Sequence, residues 1–270
     1  MEYVQLWCAR GYVRAALVAL FCVFCVPTLA RAQAPLSLTE TPTQPGVVVF
    51  PAQSNTPRGI TVVLHGMCGE PERTCAHFAA AVTEHTHLIC PRAPRRCAGG
   101  AGSTWPDSGF DQHIERAIAR AEVALAGRVD PGASRTLIGY SLGAFRALAL
   151  AENARGRYPH VLLIGARISA NAKKLRAHGV QRLLLAAGSW DITHAHMRRE
   201  AIRLKGFEPN TQFIDLGPVG HALTPSFGSQ LARALTWLWL PPPVALRAPT
   251  SPKSVLALWA ARGWGREVDT

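Results

Sequence analysis

The chain has 270 residues, 48% of them hydrophobic, and a formal net charge of +12. That length and apolar content can bury a full core, which argues against a disordered chain and suits a single α/β domain. The positive charge comes mainly from scattered arginines with no accompanying nucleic-acid motif, so it argues against specific nucleic-acid recognition and leaves only loose attraction to anionic envelope surfaces.

At the N-terminus Arg10 and Arg14 precede an uncharged stretch, Ala15 to Ala30, which runs into Ala30-Arg31-Ala32 before Gln33. Residues 1–32 therefore read as a secretory signal with an Ala-x-Ala cleavage site. The uncharged stretch is shorter than the roughly twenty residues that span a bilayer; retention as an anchor is the alternative reading. Cleavage would remove Arg10, Arg14, Arg31 and Glu2, leaving a chain of about +10 that is secreted or held in the periplasm or cell envelope. Residues 33–45, rich in Pro and Thr, read as an extended lead, and the domain is expected over 46–240.

Cys8, Cys22 and Cys25 would leave with the signal, so four cysteines remain: Cys68, Cys75, Cys90 and Cys97. An even number in an exported chain implies disulfides, and the spacing favours two local bridges, Cys68–Cys75 and Cys90–Cys97. A link from Cys68 to Cys90 or Cys97 would instead clamp neighbouring loops. A metal site is not expected, because neither pair has C-x-x-C spacing and no histidine pair completes a ligand set.

Within the domain, short apolar runs of buried-strand character occur at Val47 to Phe50, Ile60 to Leu64, His87 to Cys90, Thr136 to Tyr140, Val161 to Ile164, Leu183 to Ala187 and Gln212 to Leu216. Helical periodicity separates them. Ile114, Ile118, Ala121 and Leu125 mark one helix, Leu142, Phe145, Leu148 and Ala149 a second, and Phe227, Leu231, Leu235 and Leu238 the last. This alternation predicts a doubly wound, mostly parallel sheet of about eight strands in one α/β domain, although only seven strands are easily read. Beyond Leu240 a Pro-rich extension, 241–270, carries an amphipathic segment around Val255, Leu258, Trp259 and Arg262.

The chemistry centres on Gly139-Tyr140-Ser141-Leu142-Gly143, set between a strand-like run and an Ala/Leu-rich helical run. A serine at the tip of a tight strand-to-helix turn takes a strained backbone conformation, and small residues two positions either side relieve the crowding. Such a serine needs a base, an acid to orient the base, and donors for an oxyanion. His221, in Gly217-Pro218-Val219-Gly220-His221 after the last strand, is the candidate base. Asp191, in Gly188-Ser189-Trp190-Asp191, is the candidate acid at the carboxyl edge of the sheet, with Asp215 as the fallback. His65-Gly66-Met67 follows the strand Ile60 to Leu64, so the N–H groups of Met67 and Leu142 are the candidate oxyanion donors. His65 reads as a structural histidine of that loop, and His194 and His196 as surface or rim residues.

Through Leu64-His65-Gly66-Met67, Gly139-Tyr140-Ser141-Leu142-Gly143, Gly188-Ser189-Trp190-Asp191 and Gly220-His221, residues 46 to 240 resemble the α/β-hydrolase family. The resemblance implies a mainly parallel eight-stranded sheet and acyl-enzyme chemistry on small-molecule esters or related acyl compounds, with no cofactor. The loop Ala98 to Asp107 resembles the pocket loop of carboxylesterase-like and acyl-thioesterase-like members, which implies that Trp105 lines an acyl pocket; packing is the other reading. A catalytically silent binding module on the same scaffold and a serine peptidase of the same fold are the competing functions.

Overall fold

A computed structural model describes residues 34–239, apart from 55, 57, 101, 155, 156, 208, 225 and 226. The signal assigned to 1–32 and the extension assigned to 241–270 lie outside the described residues.

The strands are β1 (Leu36–Leu38), β2 (Val47–Phe50), β3 (Ile60–Leu64), β4 (His87–Pro91), β5 (Arg95–Arg96), β6 (Ser103–Thr104), β7 (Thr136–Tyr140), β8 (His160–Ile164), β9 (Arg182–Ala187) and β10 (Asn210–Asp215). The helices are α1 (Pro71–Thr83), α2 (Phe110–Leu125), α3 (Leu142–Ala151), α4 (Ala172–Ala177), α5 (His194–Leu204) and α6 (Phe227–Trp239). Eight strands form one sheet in the order β1-β2-β4-β3-β7-β8-β9-β10; β5 and β6 make a separate antiparallel pair. From β4 to β10 every neighbouring pair is parallel, whereas β1 and β2 join antiparallel. The missing eighth strand is β1, which lies inside the stretch read as an extended lead. Three residues with exposed and half-buried side chains carry too little apolar signal to stand out.

Strands β3, β4 and β9 are buried along their whole length, as expected of parallel strands covered on both faces, while β10 alternates because it is an edge. The core runs through Val62, Leu137, Leu163 and Leu185, capped by Ile114 and Ile118 of α2 and by Ala144, Ala147 and Leu148 of α3. The buried face of α3 is displaced from the one its larger side chains suggest: Phe145 is exposed, and the small Ala144 and Ala147 face inward. Small residues there let the helix approach the sheet closely, which fixes how its first turn meets β3.

The chain proceeds from β3 through α1 to β4 on one side and from β7 through α3 to β8 on the other. Strand order thus reverses between β3 and β7, and a crevice opens at their carboxyl ends. Both the His65-Gly66-Met67 loop and Ser141 sit at that point.

Three histidines are held neutral by the fold, His65 and His87 fully buried and His160 half-buried. His65 is pushed down to about 4 by burial, partly offset by its bond to the Gly66 carbonyl, and His160 to about 4 by burial and by Arg182. His87, lowered in the same direction by burial, accepts from Ala52 N–H at 2.9 Å and donates to the Arg128 carbonyl at 2.8 Å. A histidine with a folded pKa below its usual 6.5 leaves the native state binding fewer protons than the unfolded chain. Stability is therefore complete above about pH 6.5 and declines as pH falls toward 4, with His65 alone accounting for about 3 kcal/mol. Urea unfolding at pH 7.5 and pH 4.5 should show a loss of several kcal/mol; equal midpoints at the two pH values would contradict neutral burial.

Candidate active site

Ser141 lies between β7 and α3 with φ +54° and ψ −120°, a conformation disfavoured for any side-chain-bearing residue. Its amide donates to the Ile164 carbonyl of β8 at 2.9 Å and its carbonyl accepts from Ala144 N–H at 2.9 Å, so the turn is pinned on both sides. The flanking glycines are sterically required. A Cβ on Gly139 would run into Gly143 O and the Ala144 backbone, and one on Gly143 would run into the Leu64 carbonyl. The serine is thus presented at the crevice by backbone packing that no larger residue permits.

His221 reaches it from the loop after β10. Its Nε2 lies 2.9 Å from Ser141 Oγ and its Nδ1 2.8 Å from Asp191 Oδ2. With Nδ1–H donating to the carboxylate, Nε2 is left to accept the serine hydroxyl proton. The Tyr140 ring stacks on the imidazole, with centroids 5.4 Å apart. Asp191 follows β9 and is only 7% exposed. Burial alone would raise its carboxyl, yet the Thr193 amide, donating to Oδ1 at 2.8 Å, and the His221 ring hold it below the usual range. It is therefore an anion fixed beneath the imidazole.

The loops bearing acid and base are bonded to each other. Ser189 N–H donates to the Gly217 carbonyl at 2.8 Å and Trp190 N–H to the Val219 carbonyl at 3.2 Å, while Gly188 has no room for a side chain against the Val219 backbone. Asp215, the fallback acid, braces this loop: Oδ1 accepts from Gly217 N–H at 2.8 Å and Oδ2 lies 3.1 Å from His194 Nε2. The structure therefore brings Ser141, His221 and Asp191 together and gives Asp215 other partners. His196 bonds to the Ile168 carbonyl at 2.6 Å and stands apart from the site. Gly165 went unnoticed in the sequence. At φ +62° it follows β8, and a Cβ there would sit 3.2 Å from both Asp191 Oδ2 and His221 Cε1, so its missing side chain makes room for the acid–base pair.

On the other side of the crevice Gly66 packs against the elbow, where a Cβ would lie 3.2 Å from Ser141 Cβ. Leu142 opens α3, so its N–H has no acceptor within the helix, and the Met67 loop faces it across the switch point. His65 is fully buried beneath that loop. Its Nδ1–H donates to the Gly66 carbonyl at 2.8 Å, and Nε2 accepts from Ala93 N–H at 3.2 Å.

Trp105 is placed differently from the pocket reading. It is 3% exposed, donates from Nε1 to the His65 carbonyl at 2.9 Å and packs 5.0 Å from the His65 ring. It supports the His65-Gly66-Met67 loop from below, because a buried indole needs an N–H acceptor and finds one in that loop.

The disulfides also differ from the local pairing. Cys68 joins Cys97 and Cys75 joins Cys90, with Cα–Cα separations of 5.6 and 6.4 Å. The reason is topological: β3 and β4 are neighbours, so the loops at their carboxyl ends meet, and α1 lies across β4 with Cys75 buried against it. The Cys68–Cys97 bridge clamps the residue after Met67, which has φ +52°, to the β5–β6 hairpin region. Reduction should lower kcat as well as stability, each bridge contributing about 2–4 kcal/mol. Replacing Cys68 and Cys97 by serine should affect kcat, whereas replacing Cys75 and Cys90 should affect mainly the melting temperature. Undiminished turnover without the first bridge would show that it does not hold the oxyanion loop.

Among the described residues no group of three or more His, Cys, Asp or Glu side chains is placed to hold a metal ion. No family model matches the chain, and no curated protein does. Solved structures do. The fluorophosphonate-binding serine hydrolase F of Staphylococcus aureus superposes with a TM-score of 0.55 at 15% identity, over 76% of this chain and 98% of that one. TT1662 from Thermus thermophilus gives 0.55 at 22% identity, over 77% and 100%. Acyl-protein thioesterase 2 of Zea mays gives 0.51 at 19% identity, over 71% and 97%. The chain has the α/β-hydrolase fold. In this α/β-hydrolase fold the elbow after β7, the acid loop after β9 and the histidine loop after β10 all open on one edge of the sheet, so the arrangement can activate a hydroxyl and hold an oxyanion beside it.

Proposed function

We propose that the chain is an exported serine hydrolase that cleaves carboxylic esters or related acyl compounds through an acyl-enzyme intermediate. The observation that carries this reading is the unbroken relay from Ser141 Oγ to His221 Nε2 at 2.9 Å and from His221 Nδ1 to Asp191 Oδ2 at 2.8 Å. Ser141 Oγ attacks the substrate carbonyl carbon as its proton passes to His221 Nε2, and the Met67 and Leu142 N–H groups receive the oxyanion. Collapse of the tetrahedral species breaks the carbonyl–oxygen bond to the leaving group, which departs with the proton from His221. Water then attacks the acyl-enzyme, gives its proton to His221, and the acid is released as Ser141 recovers that proton. Asp191 holds the ring tautomer and stabilises the imidazolium without itself taking the proton.

Two disulfides and the signal-like N-terminus support export, and the positive charge supports loose attachment to an anionic envelope. Only residues 165–171 separate β8 from α4, too few for a large cap, which supports small or medium acyl groups. The experiment is hydrolysis of short p-nitrophenyl esters by the processed chain, with Ser141→Ala beside it.

A further inference from the structure

A cleft of about 270 Å³ opens beside the nucleophile, between α1 and the Tyr140 and Leu223 side of the site. Tyr140 precedes Ser141 and stacks on His221; Leu223 lies two residues beyond that histidine. The cleft is therefore within reach of an ester held at Ser141. The far wall comes from the start of α1 and is polar: Glu70, Arg73, Thr74 and His77. The Arg73 side chain is 84% exposed, and its ion contact to Glu70, at 3.8 Å, is too long and too wet to satisfy either group.

The chemistry of this wall is selective by elimination. An apolar group would take water from a carboxylate and a guanidinium and return no hydrogen bond. An anion meets Glu70, and a cation meets Arg73. What suits a carboxylate and a guanidinium together is a group that both donates and accepts. A trans amide projects its N–H and C=O in opposite directions, so it cannot address both partners from one side. Adjacent hydroxyls project side by side, and each can donate to Glu70 or accept from Arg73. The cleft, about 270 Å³ and open to solvent, has room for one hydroxylated ring. Tyr140, its phenol pushed up to about 12 by burial and then by Asp191, remains a neutral ring face at the other wall.

We propose that this cleft binds the alcohol half of the substrate and selects a polyhydroxylated, sugar-like alcohol, with Glu70 and Arg73 as specificity-determining residues. The inference rests on the esterase reading and names its substrate class.

The test compares methyl 6-O-acetyl-glucopyranoside with cyclohexylmethyl acetate, which share the acetyl group, the primary ester and the six-membered ring. Each kcat/KM is normalised to the base-catalysed hydrolysis of the same ester. The wild-type enzyme is expected to favour the sugar ester by at least about tenfold, and Glu70→Gln and Arg73→Ala should each reduce that preference several-fold, chiefly through a lower kcat/KM for the sugar ester. Neither change threatens folding, since Glu70 makes no side-chain capping bond and Arg73 is in solvent. A wild-type ratio near one, or variants that slow both esters alike, overturns the assignment while the esterase reading stands. Turnover of neither ester by a folded enzyme overturns both.

Discussion

Ser141→Ala is expected to reduce hydrolysis of short p-nitrophenyl esters by about 10⁴ to 10⁶ in kcat while changing stability by no more than about 1 kcal/mol. The size follows from the role: with the hydroxyl gone there is no atom to carry the acyl group, and only the oxyanion donors and binding remain to assist water. The unchanged stability follows from the surroundings. The elbow is set by Gly139, Gly143 and the bond from the residue-141 amide to Ile164, none of which involves the hydroxyl. Alanine keeps the same backbone. Residual turnover within tenfold of the wild type would remove Ser141 from the mechanism.

Asp191→Asn is expected to lower kcat by about 10⁴ with the fold intact. An amide can present its NH₂ to Nδ1, which would then accept and leave Nε2 protonated and unable to take the serine proton. Asp215→Asn is the control. It should cost stability through the Gly217 and His194 contacts yet leave kcat within a few-fold, because Asp215 acts on the loop and does not touch the His221 ring. The reverse ranking of the two variants would move the acid to Asp215. The pH profile adds a check: Asp191 is held below the ordinary carboxylate range, so its ionisation should not set the acidic limb of kcat.

Most of the sheet was legible in the sequence because fully buried parallel strands such as Ile60 to Leu64 and Leu183 to Ala187 are continuous apolar runs. Strand β1 was not, since its three residues are partly exposed and their pairing with β2 is decided by tertiary contact. Ser141, His221 and Asp191 could be picked out because each follows a readable strand and sits among glycines. The disulfides could not be paired from spacing: proximity there is set by which strands are neighbours, and Cys75 meets Cys90 only because α1 crosses β4. Trp105 was ambiguous for a related reason. A loop rich in glycine gives no sign that one of its side chains turns inward, and the acceptor that draws this indole in is a backbone carbonyl 40 residues away in the chain. Gly165 was invisible as well, since the space it leaves is defined only once Asp191 and His221 are in place.

The central claim, that this chain forms a covalent intermediate on one activated serine, is tested most directly by fluorophosphonate labelling followed by peptide mapping. The account predicts one adduct per chain, on Ser141, formed far more slowly by Asp191→Asn and absent from Ser141→Ala. A folded protein with both disulfides intact that takes no label, or that takes it on another residue, would contradict the account and leave a silent binding module on a hydrolase scaffold.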